Sequence, residues 1–208
     1  MHLTYKYRIK DSVSRKKLCK LAGAVNFVWN YINEVHKLRY QQYKRGGSPK
    51  FFTPYELHSL ISGAGKQLNI AQQSLRCIAE KYIASCKTNK KNYLRWRSAK
   101  RSLGWIPFKN QIIKVKGDKI VYLKQTYRIY INRSIPDNAN IICGSFNQDS
   151  RGRWYVSITF EMPEQYLPIR PLSEIGIDLG VKKAMNLSDG SAIPRPNMTA
   201  KYADKLAR

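Results

Sequence analysis

Acidic residues are what this sequence most lacks: 13 Asp and Glu stand against 38 Lys and Arg in 208 residues, a formal net charge of +25. A chain so one-sided repels itself unless an anion neutralises it. Nucleic acid is the usual anion, because each phosphate contacted releases a counterion. An anionic membrane surface is the competing partner, but no apolar run reaches the roughly 18 residues needed to span one. Residues 1–6 (MHLTYK) lead into no apolar h-region, so no secretory signal is read there, and the expected location is the cytoplasm with no membrane partner. Cysteine is scarce as well. Cys19, Cys77, Cys86 and Cys143 form no C-x-x-C pair, which argues against a zinc site or a disulfide framework and predicts reduced, mostly buried small hydrophobes. With 43% hydrophobic residues, the chain has enough apolar content and length for one large or two small domains.

The stretch 3–9 alternates Leu3, Tyr5, Tyr7 and Ile9 with Thr4, Lys6 and Arg8, the pattern of a half-buried strand with a basic outer face. Asp11, Ser12 and Ser14 are candidate caps for a long amphipathic helix. Leu18, Leu21, Ala22, Val25, Val28, Trp29, Ile32, Val35 and Leu38 recur there at helical spacing, as far as about Lys44. Its polar face, with Lys16, Lys17, Lys20, Asn26, Asn30, Asn33 and Lys37, is expected to be solvated. A second, short helix has a near-complete start signal: Thr53 as cap, Pro54 in the first turn, Glu56 closing a capping box and Phe52 able to staple onto Leu57. It should stop near Gly63 or Gly65.

A third helix, from about Asn69, buries Ile70, Leu75, Ile78, Ala79, Tyr82 and Ile83 and then changes character. From Lys87 the chain interleaves Lys90, Lys91, Arg95, Arg97, Lys100 and Arg101 with Tyr93, Trp96 and Trp105. Charge runs are usually solvated helix faces. Here the aromatics offer stacking surfaces among phosphate-seeking cations, the pairing that single-stranded or irregular nucleic acid favours. Lys87, Lys90, Lys91, Tyr93, Arg95, Trp96, Arg97, Lys100 and Arg101, with Lys109 of the following WIPFK run, are therefore the candidate nucleic-acid contacts.

Strand patterns follow Gly104. The runs 112–116 and 119–124 are joined by Gly117-Asp118, a glycine-first hairpin loop. Further strands are expected at 127–131, 140–146 and 153–160, with turns at Pro136-Asp137-Asn138 and Asp149-Ser150-Arg151-Gly152. Five consecutive antiparallel strands suggest a small barrel, joined by the first strand, which makes the helices an insertion. The expected fold class is α+β. A linker with Pro163, Pro168 and Pro171 marks a boundary. Beyond it, in 175–181, Ile175, Ile177, Leu179 and Val181 point one way, and Gly176, Asp178 and Gly180 the other. Glycines flanking one carboxylate suggest a face cleared for a metal ion or phosphate. A second strand at 184–187 and a turn at Ser188-Asp189-Gly190 complete a hairpin, and Thr199 is placed to cap a last helix.

The run IGIDLGVKKAMNLSDG resembles the first RuvC motif of TnpB, the insertion-sequence (OrfB-type) transposase family related to compact type V CRISPR effectors. VNFVWNYIN, WIPFK and SFNQDSRGRWYVSITFE follow the same family in order. The resemblance implies a wedge β-barrel (1–10 and 104–162), an inserted helical recognition lobe (11–103), a linker (163–172) and the start of an RNase H-like RuvC domain (173–208). It implies guide RNA and target DNA as partners. It makes Asp178 the first of three carboxylates holding two Mg²⁺ ions for phosphodiester cleavage. The family's other two carboxylates and its zinc ribbon lie downstream of this hairpin, and neither Asp189 nor Asp204 matches them. The chain is therefore expected not to cut by itself, to need a complete RuvC site for Mg²⁺, and to hold no zinc site.

Two other readings stand beside this one. Actin-like and sugar-kinase ATPases open with a similar strand, GIDLGT, but Val181-Lys182-Lys183 replaces their hydroxyl residues here and no glycine-rich phosphate loop follows. The stronger rival is a non-catalytic RNA- or DNA-binding protein derived from a transposase, in which the RuvC segment is a structural remnant.

Overall fold

The computed structural model describes residues 2–10, 12–47, 49–109, 112–135, 140–161, 175–180 and 183–195. The linker, the last helix, Val181, Lys182, Asp204 and the turn residues Pro136, Asp137 and Asn138 lie outside them. The chain divides into two units, Met1–Tyr166 and Leu167–Arg208, each described here by itself.

In the first unit, strand β1 (His2–Ile9) leads into helix α1 (Ser12–Lys44). Ser12 and Ser14 lie inside this helix rather than ahead of it. Helix α2 (Pro54–Leu60) starts as its signal predicts. The Thr53 side chain accepts from the Glu56 N–H and the Glu56 carboxylate accepts from the Thr53 N–H, so two otherwise orphaned donors are satisfied. It ends sooner than expected, and a further short helix, α3 (Ala64–Leu68), follows Gly63, whose φ of 85° is left-handed. Asn69 closes α3 in a left-handed conformation instead of opening the next helix, so α4 runs Gln72–Thr88.

The sheet carries one more strand than the sequence pattern shows. Strand β2 (Trp105–Lys109) contains Pro107 and sits at a sheet edge, where a missing N–H is tolerated. Then come β3 (Ile113–Lys116), β4 (Lys119–Tyr122), β5 (Gln125–Tyr130), β6 (Asn140–Gln148) and β7 (Trp154–Glu161). Gly117, at φ 54°, turns β3 into β4 as expected. The β4–β5 turn is made by Leu123 and Lys124, both at positive φ (49° and 61°). That geometry normally selects Asn-Gly, so nothing in the sequence ends β4 at Tyr122.

The seven strands form one antiparallel sheet in the order β2-β6-β7-β1-β5-β4-β3. β1 lies between β7 (Tyr7↔Val156) and β5 (Ile9↔Ile129), so the strand preceding the helices belongs to the same sheet as those following them. Among the described residues β2 and β3 remain unpaired edges. The expected barrel is thus a curled half-barrel, because its terminal strands never meet. Its inner face supplies Tyr7, Ile106, Phe108, Tyr122, Tyr127, Phe146 and Val156 to a core shared with Leu18, Val25 and Ile32 of α1 and Leu75, Ile78 and Tyr82 of α4. The Ser74 and Tyr122 hydroxyls meet at 3.0 Å inside that core, joining α4 to β4. Of the cysteines only Cys86 is fully buried; Cys77 and Cys143 are half-buried and Cys19 is exposed, all with free thiols. Cys19 and Cys77 sit on helix flanks and Cys143 on β6, positions that tolerate a small polarisable side chain part-exposed, so the expectation of mostly buried cysteines fails.

The second unit contains β8 (Ile177–Leu179), β9 (Lys183–Leu187) and β10 (Ala192–Pro194), an antiparallel sheet in the order β10-β9-β8. The expected hairpin is present, with β10 added to it.

Candidate nucleic-acid interface

Helix α4 stops at Thr88, and the basic run beyond it is an irregular loop, 89–104, not a continuing helix. Lys90, at φ 51°, helps turn the chain out of the helix. What holds the loop is the polar face of α1. Asn33 Nδ2 donates to the Leu94 carbonyl while the Leu94 N–H donates to Asn33 Oδ1, each at 2.8 Å. One helical turn earlier, Asn30 makes the same reciprocal pair with the carbonyl and N–H of Arg97, again at 2.8 Å. A turn earlier still, Asn26 Oδ1 accepts from Arg97 Nε at 2.8 Å. The helix places these amides at i, i+4 and i+7 on one stripe, and an extended chain runs antiparallel along them. Asn26 and Asn33 are accordingly buried. The expectation that this whole face is solvated holds for Lys16, Lys17 and Lys20 and fails for the asparagines, because their amides satisfy backbone groups that would otherwise have no partner.

This anchoring sorts the candidate residues into two groups. Lys87, Lys90, Lys91, Tyr93, Arg95, Trp96, Lys100 and Arg101 are exposed. Trp96 is 62% exposed and Tyr93 47%; large aromatic faces left in water beside cations are available for stacking. Arg97 is instead half-buried within the fold, and Lys109 is paired with Glu80 although its side chain remains 44% exposed. The Arg97 guanidinium also donates to the Leu103 carbonyl at 2.9 Å and lies over the rings of Trp29 and Trp105 at 5.5 and 5.8 Å. Burial lowers its pKa from the usual arginine value. Lys109 Nζ pairs with Glu80 Oε2 at 2.9 Å, tying β2 to α4.

Strand order exposes a second basic surface. On the outer face of the sheet, Lys6 lies over the Tyr155 ring at 4.5 Å and Arg8 over Tyr130 at 5.6 Å, and both cations line a shallow recess with Asn132 and Arg133. The basic outer face of β1 was legible from its alternation. Its tyrosine partners come from strands about 120 to 150 residues away in sequence, and no local signal could pair them.

Within the second unit, Asp178 sits opposite Asn186 in the β8–β9 pair, on a strand exposed throughout. The flanking glycines also meet neighbours within the hairpin. A Cβ at Gly176 would meet Ser188 Cβ at 3.3 Å, where the Ser188 hydroxyl accepts from the Gly176 N–H, and a Cβ at Gly180 would meet the Lys183 carbonyl at 2.8 Å. Close approach within the hairpin therefore requires glycine at Gly180, while the contact at Gly176 is tight but could be relieved by a small shift of Ser188, and Gly176, Asp178 and Gly180 are all exposed. Asp189 Oδ1 accepts from the Ser191 N–H and hydroxyl at 2.9 and 2.7 Å, which holds its carboxyl below the usual range in a turn role. No group of three or more His, Cys, Asp or Glu residues converges among the described residues. One carboxylate cannot by itself hold the two Mg²⁺ ions of phosphodiester cleavage. Nor is any described helix long and apolar enough to cross a membrane.

Comparison with known proteins shows TnpB-type relatives. The chain is 24% identical over 139 residues to a putative RNA-guided DNA endonuclease of Streptomyces pristinaespiralis, covering 66% of this chain and 34% of that protein. It is 43% identical over 60 residues to the putative RNA-guided DNA endonuclease InsQ of Escherichia coli K12, covering 28% of this chain and 15% of the relative. The matches thus span about a third or less of these curated relatives. A chain from a cryo-electron microscopy structure of a Cas12f1–sgRNA–target DNA complex aligns with all of this chain and 60% of its own length, at a TM-score of 0.40 and 14% identity. No protein-family model matches. The chain is TnpB-like in sequence.

Proposed function

We propose that this TnpB-like chain is the N-terminal part of a transposon-encoded RNA-guided DNA endonuclease, binding guide RNA and target DNA through the half-barrel and its inserted helices. The observation that carries this reading is the loop 89–104: it presents Tyr93 and Trp96 to solvent among Lys90, Lys91, Arg95, Lys100 and Arg101, on a backbone fixed by Asn30 and Asn33. Preorganised stacking faces among cations lower the ordering cost that a flexible basic tail would incur on binding. Arg97 and Lys109 serve this reading by holding the loop and the edge strand.

On the same reading Asp178 is a catalytic carboxylate of a RuvC-like site that needs Mg²⁺ and further carboxylates, and the 208-residue chain does not cleave DNA by itself. The test has two parts. The chain should bind single-stranded RNA with an affinity that falls steeply with salt, and a single RNA species should co-purify with it. In a form carrying the remaining RuvC segments, Asp178→Ala should abolish guided cleavage; intact cleavage would remove the catalytic role. Co-purification of mixed ribosomal and transfer RNA would favour the non-catalytic RNA- or DNA-binding protein. That second reading draws on the absence of a converged acidic group around Asp178 among the described residues.

A further inference from the structure

A cavity of about 540 Å³ opens in the first unit between α1, the segment 50–54 and the end of α4, a volume typical of pockets for nucleotide-sized ligands. One wall is aromatic: the rings of Phe51 and Phe52 lie 5.5 and 5.9 Å from that of His36. The rim is cationic, formed by Lys50, Lys87, Lys90 and Lys91, and no described acidic residue lines the space. Anions are favoured there and cationic ligands are not.

His36 makes this more than a basic depression. It is 1% exposed, yet neither Nδ1 nor Nε2 has a hydrogen-bond partner among the described residues. A neutral imidazole carries one donor and one acceptor, and burying both unpaired is costly. Burial also lowers the His36 pKa from its usual value, which keeps the ring neutral near pH 7 and preserves that donor–acceptor pair. Arg39 covers one face of Phe52 at 4.1 Å; Phe51 has Lys50 Nζ over its ring at 5.0 Å but is 43% exposed, so a base stacking on it would displace that flexible lysine toward the neighbouring phosphate.

An aromatic face, a buried donor–acceptor group and several cations match the face and edge of a base and the phosphates beside it. We propose that this cavity receives one unstacked nucleotide of a single-stranded nucleic acid, its base against Phe51 with an edge toward His36 and its neighbouring phosphates on Lys87, Lys90 and Lys91. The inference rests on the nucleic-acid-binding reading above and adds to it a base-accepting site whose stacking ring is separate from Tyr93 and Trp96, with Lys90 and Lys91 shared between the two.

Fluorescence anisotropy of the full chain with a 20-nucleotide oligouridylate and with a 20-base-pair DNA duplex tests it. Phe51→Leu keeps the apolar bulk and removes the stacking face. It should weaken oligouridylate binding at least fivefold while duplex binding stays within twofold, and Phe51→Trp should restore the loss. His36→Leu should alter the preference among oligo-U, oligo-A and oligo-C by at least threefold. If Phe51→Leu leaves oligouridylate binding within twofold of the parent, or weakens both probes equally, the cavity is not a base site although the chain still binds nucleic acid. If the unaltered chain binds neither probe, the broader reading fails with it. Photocrosslinking of the unaltered chain to 4-thiouridine RNA is independent of variant folding. Adducts within 50–54 or 83–92 support the site, and adducts confined to other segments overturn it.

Discussion

Asn33 and Leu94 are joined as neighbouring strands would be, side-chain amide to backbone, by two reciprocal hydrogen bonds of 2.8 Å. Asn33 Oδ1 also accepts from the Tyr82 hydroxyl at 2.8 Å, so one buried amide connects α1, α4 and the basic loop. Each such bond contributes about 1 kcal/mol net, and the groups left unpaired after its loss cost more. Asn33→Ala should therefore lower unfolding free energy by about 3 kcal/mol in urea denaturation. A loss under about 1 kcal/mol would mean that the loop is held by other contacts.

The exposed and engaged halves of the basic loop should separate by experiment. Trp96→Ala should leave stability within about 0.5 kcal/mol and weaken single-stranded RNA binding by roughly 5- to 100-fold, the range for one lost base stack. Arg97→Ala should instead show itself first in the melting temperature, because its guanidinium bonds lie within the fold. A Trp96 variant that melts early but binds normally would reverse these assignments.

Salt dependence discriminates the cations. Replacing Lys90 or Lys91 by Ala should reduce the slope of log K against log salt by about 1 each if each meets a phosphate. Lys109→Ala should change the slope less than either, since Glu80 already pairs with it, and should cost at most about 1 kcal/mol of stability, the range for an exposed ion pair. An unchanged slope for both loop lysines would place the phosphate contacts elsewhere, with the outer-sheet residues Lys6 and Arg8 the next to test.

The start of α2 carries an acid-sensitive contribution. The Thr53 N–H and hydroxyl and Arg39 bond the Glu56 carboxylate and hold its pKa at about 2, against 4.5 ordinarily. The folded value is the lower one, so this stabilisation is complete above pH 4.5 and is lost as pH falls toward 2. Glu56→Gln should flatten that part of the stability–pH profile. Thr53→Ala should cost about 1 kcal/mol at neutral pH. An unchanged acid limb in Glu56→Gln would show that other carboxylates set it.

The β4–β5 turn is a site for improvement. Left-handed backbone costs a non-glycine residue about 1–2 kcal/mol, and Lys124 sits at φ 61°. Lys124→Gly should raise stability by up to about 1 kcal/mol, read from the urea midpoint; a decrease would mean that the lysine side chain contributes more than the strain removes.

Legibility followed the range of the interaction. The α2 start was readable because its capping box is complete within four residues, and α1 because its apolar stripe repeats over 33 residues. The end of β4 was not, since Leu123-Lys124 carries no turn chemistry. The end of α4 was obscured because a charged, aromatic-rich run suits an exposed helix as well as a loop.

The sequence by itself determined the charge, the alternation that makes β1 half-buried, the existence of the Asp178 hairpin and the similarity to TnpB-type proteins, all properties of residue order and composition. Tertiary structure alone decided which cations are free and which are engaged. Arg95 and Arg97 are two residues apart and chemically identical, yet one is exposed and the other lies against Trp29, Asn26 and Asn30 of α1. The physical reason is that burial and hydrogen-bond pairing depend on which distant segment packs alongside. For the loop that segment is a helix some 60 to 70 residues earlier, and only the folded chain brings its asparagines to the loop's backbone.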